Sequence, residues 1–194
     1  MLPTLHFPDR IPELTAGSLL LRAPTEDDIP SWYERARDVE SAFLAGDPVP
    51  ESIAAGFEWL ARNRERFRQR TGIRWVIVPE GSPRSVGSIG LGITSSEDRV
   101  AEFGFVIARA HWGRGIATAA GRLVTRFGFD VLQLAEIRAE ALESNIASRR
   151  VLEKLGFQFE HVIPDFDRTG AGPVDGCLYA LRCAARPPAR HYEP

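Results

Sequence analysis

The most chemically suggestive run in the chain is His111-Trp112-Gly113-Arg114-Gly115-Ile116-Ala117-Thr118, between an alternating apolar segment and an amphipathic one. Gly113 and Gly115 let the backbone turn tightly and approach a ligand with no Cβ in the way. A helix starting just after them presents unpaired amides and the positive end of its macrodipole. Arg114 adds a full positive charge. Such a junction suits an anion, and a pyrophosphate is its natural occupant. A Gly-x-Gly between strand and helix is also often only a tight turn, so the run alone does not decide the ligand. It is not a Walker loop, since no Gly-Lys-Ser/Thr follows, and Thr118 stands where a dinucleotide fingerprint needs its third glycine. Gly87, Gly90 and Gly92 sit inside a strand that ends in a hairpin, with no helix to receive a phosphate.

A second constellation is Asn145-Ile146-Ala147-Ser148-Arg149-Arg150-Val151-Leu152-Glu153-Lys154-Leu155-Gly156-Phe157. Ser144 or Asn145 caps a helix here and Gly156 stops it. Asn145, Ser148 and Leu152, three and four residues apart, share one stripe of that helix.

The elements that must position these groups follow from the hydrophobic periods. Residues 19–23 read as a short strand, and Thr25 with Asp28 as a capping box opening a helix to about Arg37. Residues 46–50 are turn chemistry. A second helix begins at Ser52, with Ile53, Phe57, Leu60, Asn63 and Phe67 near helical spacing. Residues 75–78 and 86–94 are strands, and 95–98 a hairpin tip. In the strand 101–108, Phe103, Phe105 and Ile107 face one way, and Glu102, Gly104, Val106 and Ala108 the other. The helix after Gly115 carries Ala117, Ala120, Val124, Phe127 and Val131 on one stripe. Residues 137–141, 157–162 and 176–182 complete the strands. Residues 164–173 form a Gly/Asp/Pro loop. Residues 1–186 form a single domain, and 187–194 read as a disordered tail. Antiparallel hairpins followed by a strand–helix–strand–helix–strand run imply an α+β mixed sheet with helices on both faces.

Taken together, the strand 101–107, the run Trp112 to Thr118 and the Asn145-x-x-Ser148…Leu155-Gly156-Phe157 helix resemble the GNAT (Gcn5-related N-acetyltransferase) superfamily. Within it they look like the RimJ/RimL branch, which includes acetylases of ribosomal-protein N-termini. The resemblance implies a mostly antiparallel central sheet with one splayed pair of parallel strands, and acetyl-CoA as co-substrate without a metal. It implies that Phe105, Val106 and Ile107 hold the pantetheine arm. The amides of the run Trp112, Gly113, Arg114, Gly115, Ile116, Ala117 and Thr118 would take the pyrophosphate. Asn145 and Ser148 would hold the thioester end, and Arg149 or Arg150 would reach the phosphates unless they form a solvated helix face. Three positions depart from the family pattern: Trp112 replaces the usual Gln or Arg, Ala119 a frequent Glu, and Leu152 a Tyr that many members use to protonate the leaving thiolate.

The activity implied is transfer of an acetyl group to a primary amine, either a protein N-terminal α-amine or a small-molecule amine. An α-amine near pKa 8 is far less protonated at neutral pH than a lysine. Glu102, on the face with small Gly104 and Ala108, is the first candidate for general base. Glu160 is the alternative, as base or as an anchor for the amine. Ser148, one helical turn before Leu152, is the first candidate to protonate the thiolate, with Tyr179 the alternative. The amide of Val106 or Ile107 would polarise the carbonyl. Glu102, Glu160, Asp165, Asp167 and Asp175 would make the acceptor site anionic. The residues between Thr25 and Gln69 and the loop 164–173 would line that site. A non-catalytic acyl-CoA-binding module on the same fold is the competing reading.

Composition sets outer bounds. A chain of 194 residues with 44% hydrophobic and 26% charged residues is ordinary for a globular protein. A net charge of −2 offers no basic excess for nucleic acid. Cys177 and Cys183, six apart in a strand and its exit, are too far apart for a disulfide and fit a reducing cytoplasm. No run approaches a membrane span, and residues 1–12 lack an apolar signal core. The RimJ/RimL branch includes monomers and homodimers.

Overall fold

The computed structural model describes residues 5–166 and 174–183. Among them run strands β1 (Leu14–Ala16), β2 (Leu19–Arg22), β3 (Gly72–Pro79), β4 (Gly87–Ser95), β5 (Val100–Ile107), β6 (Glu136–Leu142), β7 (Gln158–Ile163) and β8 (Gly176–Arg182). The helices are α1 (Ile29–Ala36), α2 (Val39–Ala45), α3 (Ala54–Arg68), α4 (Ile116–Asp130) and α5 (Ile146–Lys154). The strands form one sheet in the order β1-β2-β3-β4-β5-β6-β8-β7. Neighbours are antiparallel except β5 and β6, which run parallel. The expected mixed sheet with one parallel pair is therefore present, and its last two strands are interleaved, β8 lying between β6 and β7.

Alternation along each strand sends side chains to two faces. On one face Ile73, Trp75, Ile77, Ile89, Leu91 and Phe103 meet Ala120, Val124 and Phe127 of α4. Trp75 is fully buried, edge-on to Phe127 at 5.2 Å between ring centroids. Its indole Nε1 donates to the Pro12 carbonyl at 2.8 Å, which satisfies the polar end of a buried ring. On the other face α3 packs along β3, with α1 against α3. Gly121 of α4 lies beneath Leu155, where a Cβ would come 2.5 Å from Leu155 Cδ1. That close approach seats the C-terminal end of α5 against α4.

The chain entering α1 is fastened by charge. The buried Asp28 carboxylate accepts from Arg22 Nη1 at 2.7 Å and Nη2 at 3.0 Å, and from the Thr25 amide at 2.9 Å. Burial pushes this carboxyl up, but those hydrogen bonds outweigh it and hold its pKa below the ordinary carboxylate range.

Several sequence expectations need adjustment. The capping box opens a 3-10 turn at Glu26–Asp28, and α1 follows it. That helix stops at Ala36, and a separate α2 follows, with Asp38 Oδ1 accepting from the Ser41 amide at 2.8 Å and Gly46 ending it in the left-handed region. Val131 is the C-cap of α4 and lies 41% exposed, so the buried stripe ends at Phe127. β1 was absent from the periodic pattern because three residues are too few to show one. Neither cysteine is in a disulfide, and Cys177 is buried and Cys183 exposed. Asp167, the loop beyond Phe166 as far as Pro173, and the tail 187–194 lie outside the described residues.

Candidate functional site

β5 and β6 pair only at Val100↔Glu136, Ala101↔Ile137 and Glu102↔Arg138, then separate. The Ala108 amide donates to the Val86 carbonyl at 2.8 Å. Antiparallel alternation therefore turns the peptide groups of Gly104 and Val106 toward β4, and those of Phe105 and Ile107 toward the gap. The Ile107 carbonyl is satisfied by Trp112 Nε1 at 2.7 Å. Left facing the gap are the Ile107 amide and both peptide groups of Phe105. Of the two amides named as polarising donors, Ile107 thus faces the gap and Val106 does not.

At the wide end of this gap stands the glycine turn. Gly113 (φ 73°) and Gly115 (φ 74°) occupy the left-handed region, which glycine adopts without penalty. A Cβ on either would meet nothing within 4 Å, so the turn presents bare backbone to open space. Among the described residues, the amides from Gly113 to Thr118 have no backbone carbonyl partner; the Ala119 amide, bonded to the Gly115 carbonyl at 2.9 Å, makes the first bond of α4. Trp112 fastens this turn to the end of β5, and Arg109 lies over its ring at 5.9 Å. Arg114, Arg150 and Lys154 edge the same cavity. Free amides, a helix N-terminus and these cations suit a diphosphate, and the gap offers unpaired peptide groups to an extended amide-bearing arm.

The cavity has a volume of about 930 Å³ and runs from this turn through the strand gap to α1, α2 and α3. Glu102, exposed on β5, and Ser148, half-buried on α5, both line it, as does buried Leu152. Asn145 reaches it while doing two structural jobs. Its Oδ1 accepts from the Ser148 amide at 3.0 Å, and its Nδ2 donates to the Leu44 carbonyl at 3.2 Å. It thereby ties α5 to the end of α2.

Three expected residues are not brought to the cavity. Glu160 lies on β7, the strand beyond β8, and pairs with Arg182 at 2.7 Å, which holds its pKa below the usual range. Tyr179 is buried in the core, its hydroxyl accepting from Arg149 Nε at 3.0 Å. Arg149 also donates to the Glu143 carbonyl at 2.9 Å, so Arg150 is the one of the pair that faces the cavity. The interleaving of β8 explains Glu160, because it carries β7 away from the gap, whereas Tyr179 on β8 turns its side chain into the core. Asp165 and Asp175 also lie outside the cavity lining.

The acceptor end holds residues that the sequence reading overlooked. Trp32 and Trp59 stack at 5.8 Å and form one wall. Arg35 of α1 is only 7% exposed, and Arg74 projects from β3 onto the same cavity. Arg74 Nη1 donates to the Gly104 carbonyl at 3.1 Å. It reaches across the sheet because Gly90 separates the two strands, and a Cβ there would come 3.1 Å from Arg74 Nε. Gly92 does the same for Arg66, whose Nη2 would lie 2.6 Å from an added Cβ. Gly90 and Gly92 are thus a floor for arginines, while Gly87 lies against Val106 and Ile107. Burial chiefly, with repulsion from Arg74, pushes the Arg35 guanidinium down to about 10. Burial and the nearby Arg66 push Arg74 down to about 10 as well.

Comparison with known proteins identifies the family and the fold. Residues 18–158 match the family model described as an acetyltransferase (GNAT) domain. The uncharacterized N-acetyltransferase YoaA of Bacillus subtilis is 29% identical over 170 residues, covering 88% of this chain and 96% of that protein. The spermidine N(1)-acetyltransferase of Escherichia coli is 31% identical over 87 residues, 45% of this chain and 46% of its own length. Among solved structures, Mycobacterium smegmatis RimJ in complex with CoA-disulfide superposes with a TM-score of 0.77 at 25% identity, covering 93% of this chain and 90% of that one. No helix among the described residues is long and apolar enough to cross a membrane.

Proposed function

The chain belongs to the GNAT acetyltransferase family and is an N-acetyltransferase, and from that premise we propose that it acetylates a primary amine held against α1, α3 and β5 by direct attack within a ternary complex. The observation that carries this reading is one continuous cavity joining the amide cradle at Gly113–Thr118, the β5/β6 gap and the helix-lined acceptor end. Acetyl-CoA, when bound, supplies an acetyl group already activated as a thioester.

The remaining work falls to this chain. The amides of Gly113 to Thr118 and Arg114 hold the diphosphate, and Arg150 and Lys154 supply further charge. The peptide groups of Phe105 and the amide of Ile107 align the arm. The Ile107 amide also donates to the carbonyl oxygen as negative charge grows on it, a preorganised donor at the edge of the gap. Glu102 takes the proton from the amine, directly or through water, so that a neutral nucleophile attacks. The Ser148 hydroxyl hands a proton to the departing sulfur and is reprotonated from solvent; Leu152 has no proton to give.

Initial rates with acetyl-CoA and amine varied together test the ternary complex. Intersecting double-reciprocal lines, with acetylated amine and free CoA formed one for one, are expected. Parallel lines or an isolable acetylated protein would overturn direct attack.

A further inference from the structure

We propose that the acceptor amine carries an anionic oxygen group, a carboxylate or a phosphate, which is received by the paired guanidiniums of Arg35 and Arg74. This deepens the acetyltransferase reading and rests on it for the location of the amine.

A buried arginine and a half-buried one in the same cavity wall, close enough to repel each other, are an expensive arrangement, and folded proteins ordinarily pair such groups. Here the carboxylates on hand do not. Asp28, the buried acid beneath α1, is committed to Arg22 through both its oxygens. Asp47 and Glu102 are exposed and exert a favourable field, yet neither comes within 4.0 Å of Arg35 or Arg74. Glu58 on α3 is taken by Arg62 at 3.9 Å. Arg35 makes no hydrogen bond or ion pair among the described residues, and Arg74 makes one, to the Gly104 carbonyl. Both side chains line the cavity, so their donors meet whatever fills it. Two planar forks opening on the cavity, with a single acceptor between them at the Gly104 carbonyl, match an oxyanion better than any other partner.

Position agrees with chemistry. Arg74 lies across Gly90 to Gly104, one residue along β5 from Phe105 and two from Glu102. An oxyanion on these guanidiniums would hold an amine a few bonds away beside Glu102 and the mouth of the gap. Of the acids named for the acceptor site, only Glu102 lines the cavity among the described residues.

The test uses matched acceptors with the full-length protein. One arm compares an α-amino acid with its carboxamide; the other compares O-phosphoethanolamine with ethanolamine. CoA release gives kcat/KM for each, and calorimetric titration into the CoA-loaded protein gives affinity without turnover. At least a tenfold preference for the anionic member is expected in one arm, which also tells carboxylate from phosphate. The amide has the less basic amine, so a preference for the acid would not come from amine ionisation. In Arg35→Met the preference ratio should fall toward one, mainly through KM, while Arg35→Lys keeps part of it. Equal or better use of the neutral members by the parent would overturn the proposal. Discrimination in binding with no turnover of any amine would refute the acetyltransferase reading and leave the anion site standing. Turnover with no discrimination would do the reverse.

Discussion

Arg35→Met should make the protein more stable, and the size of the gain can be worked from the structure. A guanidinium held at about 10 instead of above 12 carries a penalty on the order of 3 kcal/mol when charged. Burial is the main cause, repulsion from Arg74 adds to it, and Asp47 and Asp28 offset part. Methionine keeps the length and apolar stem of arginine while removing the charge, so little packing is lost. Taking roughly a third to all of the penalty as recoverable gives about 1–3 kcal/mol. At about 2–4 °C per kcal/mol for a domain of this size, the melting temperature should rise by about 2–12 °C. The folded-state pKa lies below the unfolded one, so the penalty is present at neutral pH and fades as pH rises through about 10. Scanning calorimetry of parent and variant at pH 7.5 and again above pH 10 reads both effects; the gap between the two proteins should narrow at the higher pH. A lower melting temperature for Arg35→Met would show that the charge is favourably partnered in the free protein, and the reasoning behind the anion site would fall with it. Stability given up at a binding site is a common trade.

Three other outcomes are expected. Glu102→Gln should lower kcat by about 10²–10⁴-fold and Ser148→Ala by about tenfold, with acetyl-CoA affinity changed far less; unaltered turnover removes the residue concerned from the mechanism. Gly115→Ala adds a side chain to a left-handed residue, costing about 1–2 kcal/mol, and sets a Cβ at the diphosphate cradle. Its CoA dissociation constant, by calorimetry, should rise at least tenfold, and an unchanged constant would place the phosphates elsewhere. Asp28→Asn should cost about 2–4 kcal/mol by chemical denaturation, since it leaves Arg22 unpaired. The depressed Asp28 pKa means that its contribution, present above about pH 4, is lost as pH falls through the lower folded value, so parent and variant should converge in acid. Failure to converge would assign the acid response to other groups.

What the sequence disclosed was local, and what it hid was not. The glycine turn, the Asn145 cap and the two-faced β5 are written in runs of adjacent residues, where left-handed φ values, capping chemistry and a period of two leave direct marks. The Arg35–Arg74 pairing joins α1 to β3 across the whole of α2 and α3, and no local pattern announces it. A signal did exist: Arg35 falls on the same helical face as Asp28 and Ser31, which are buried too, and Arg74 interrupts an otherwise apolar strand. Glu160 was misjudged for a topological reason. Sequence order puts β7 before β8, whereas the sheet puts it outside, and one interposed strand is enough to carry a glutamate from the cavity to the rim. The helix α2 was within reach, for Asp38, Ser41 and Gly46 supply a cap at each end, but seven residues are too few for a clear apolar stripe.

The seam between β5 and β6 behaves like a pair of callipers. Its pivot is the paired trio at Val100 to Glu102, and its arms are β5 from Phe103 to Ile107 and β6 beyond Arg138. Behind the pivot, Phe103 packs against Phe157 at 5.6 Å and Phe105 at 5.8 Å, on the side away from the acceptor. Five residues of strand make an arm of about 15 Å, so one degree of divergence moves the tip by about a quarter of an ångström. The width of the gap is therefore gauged in part by aromatic packing on the opposite face of the sheet.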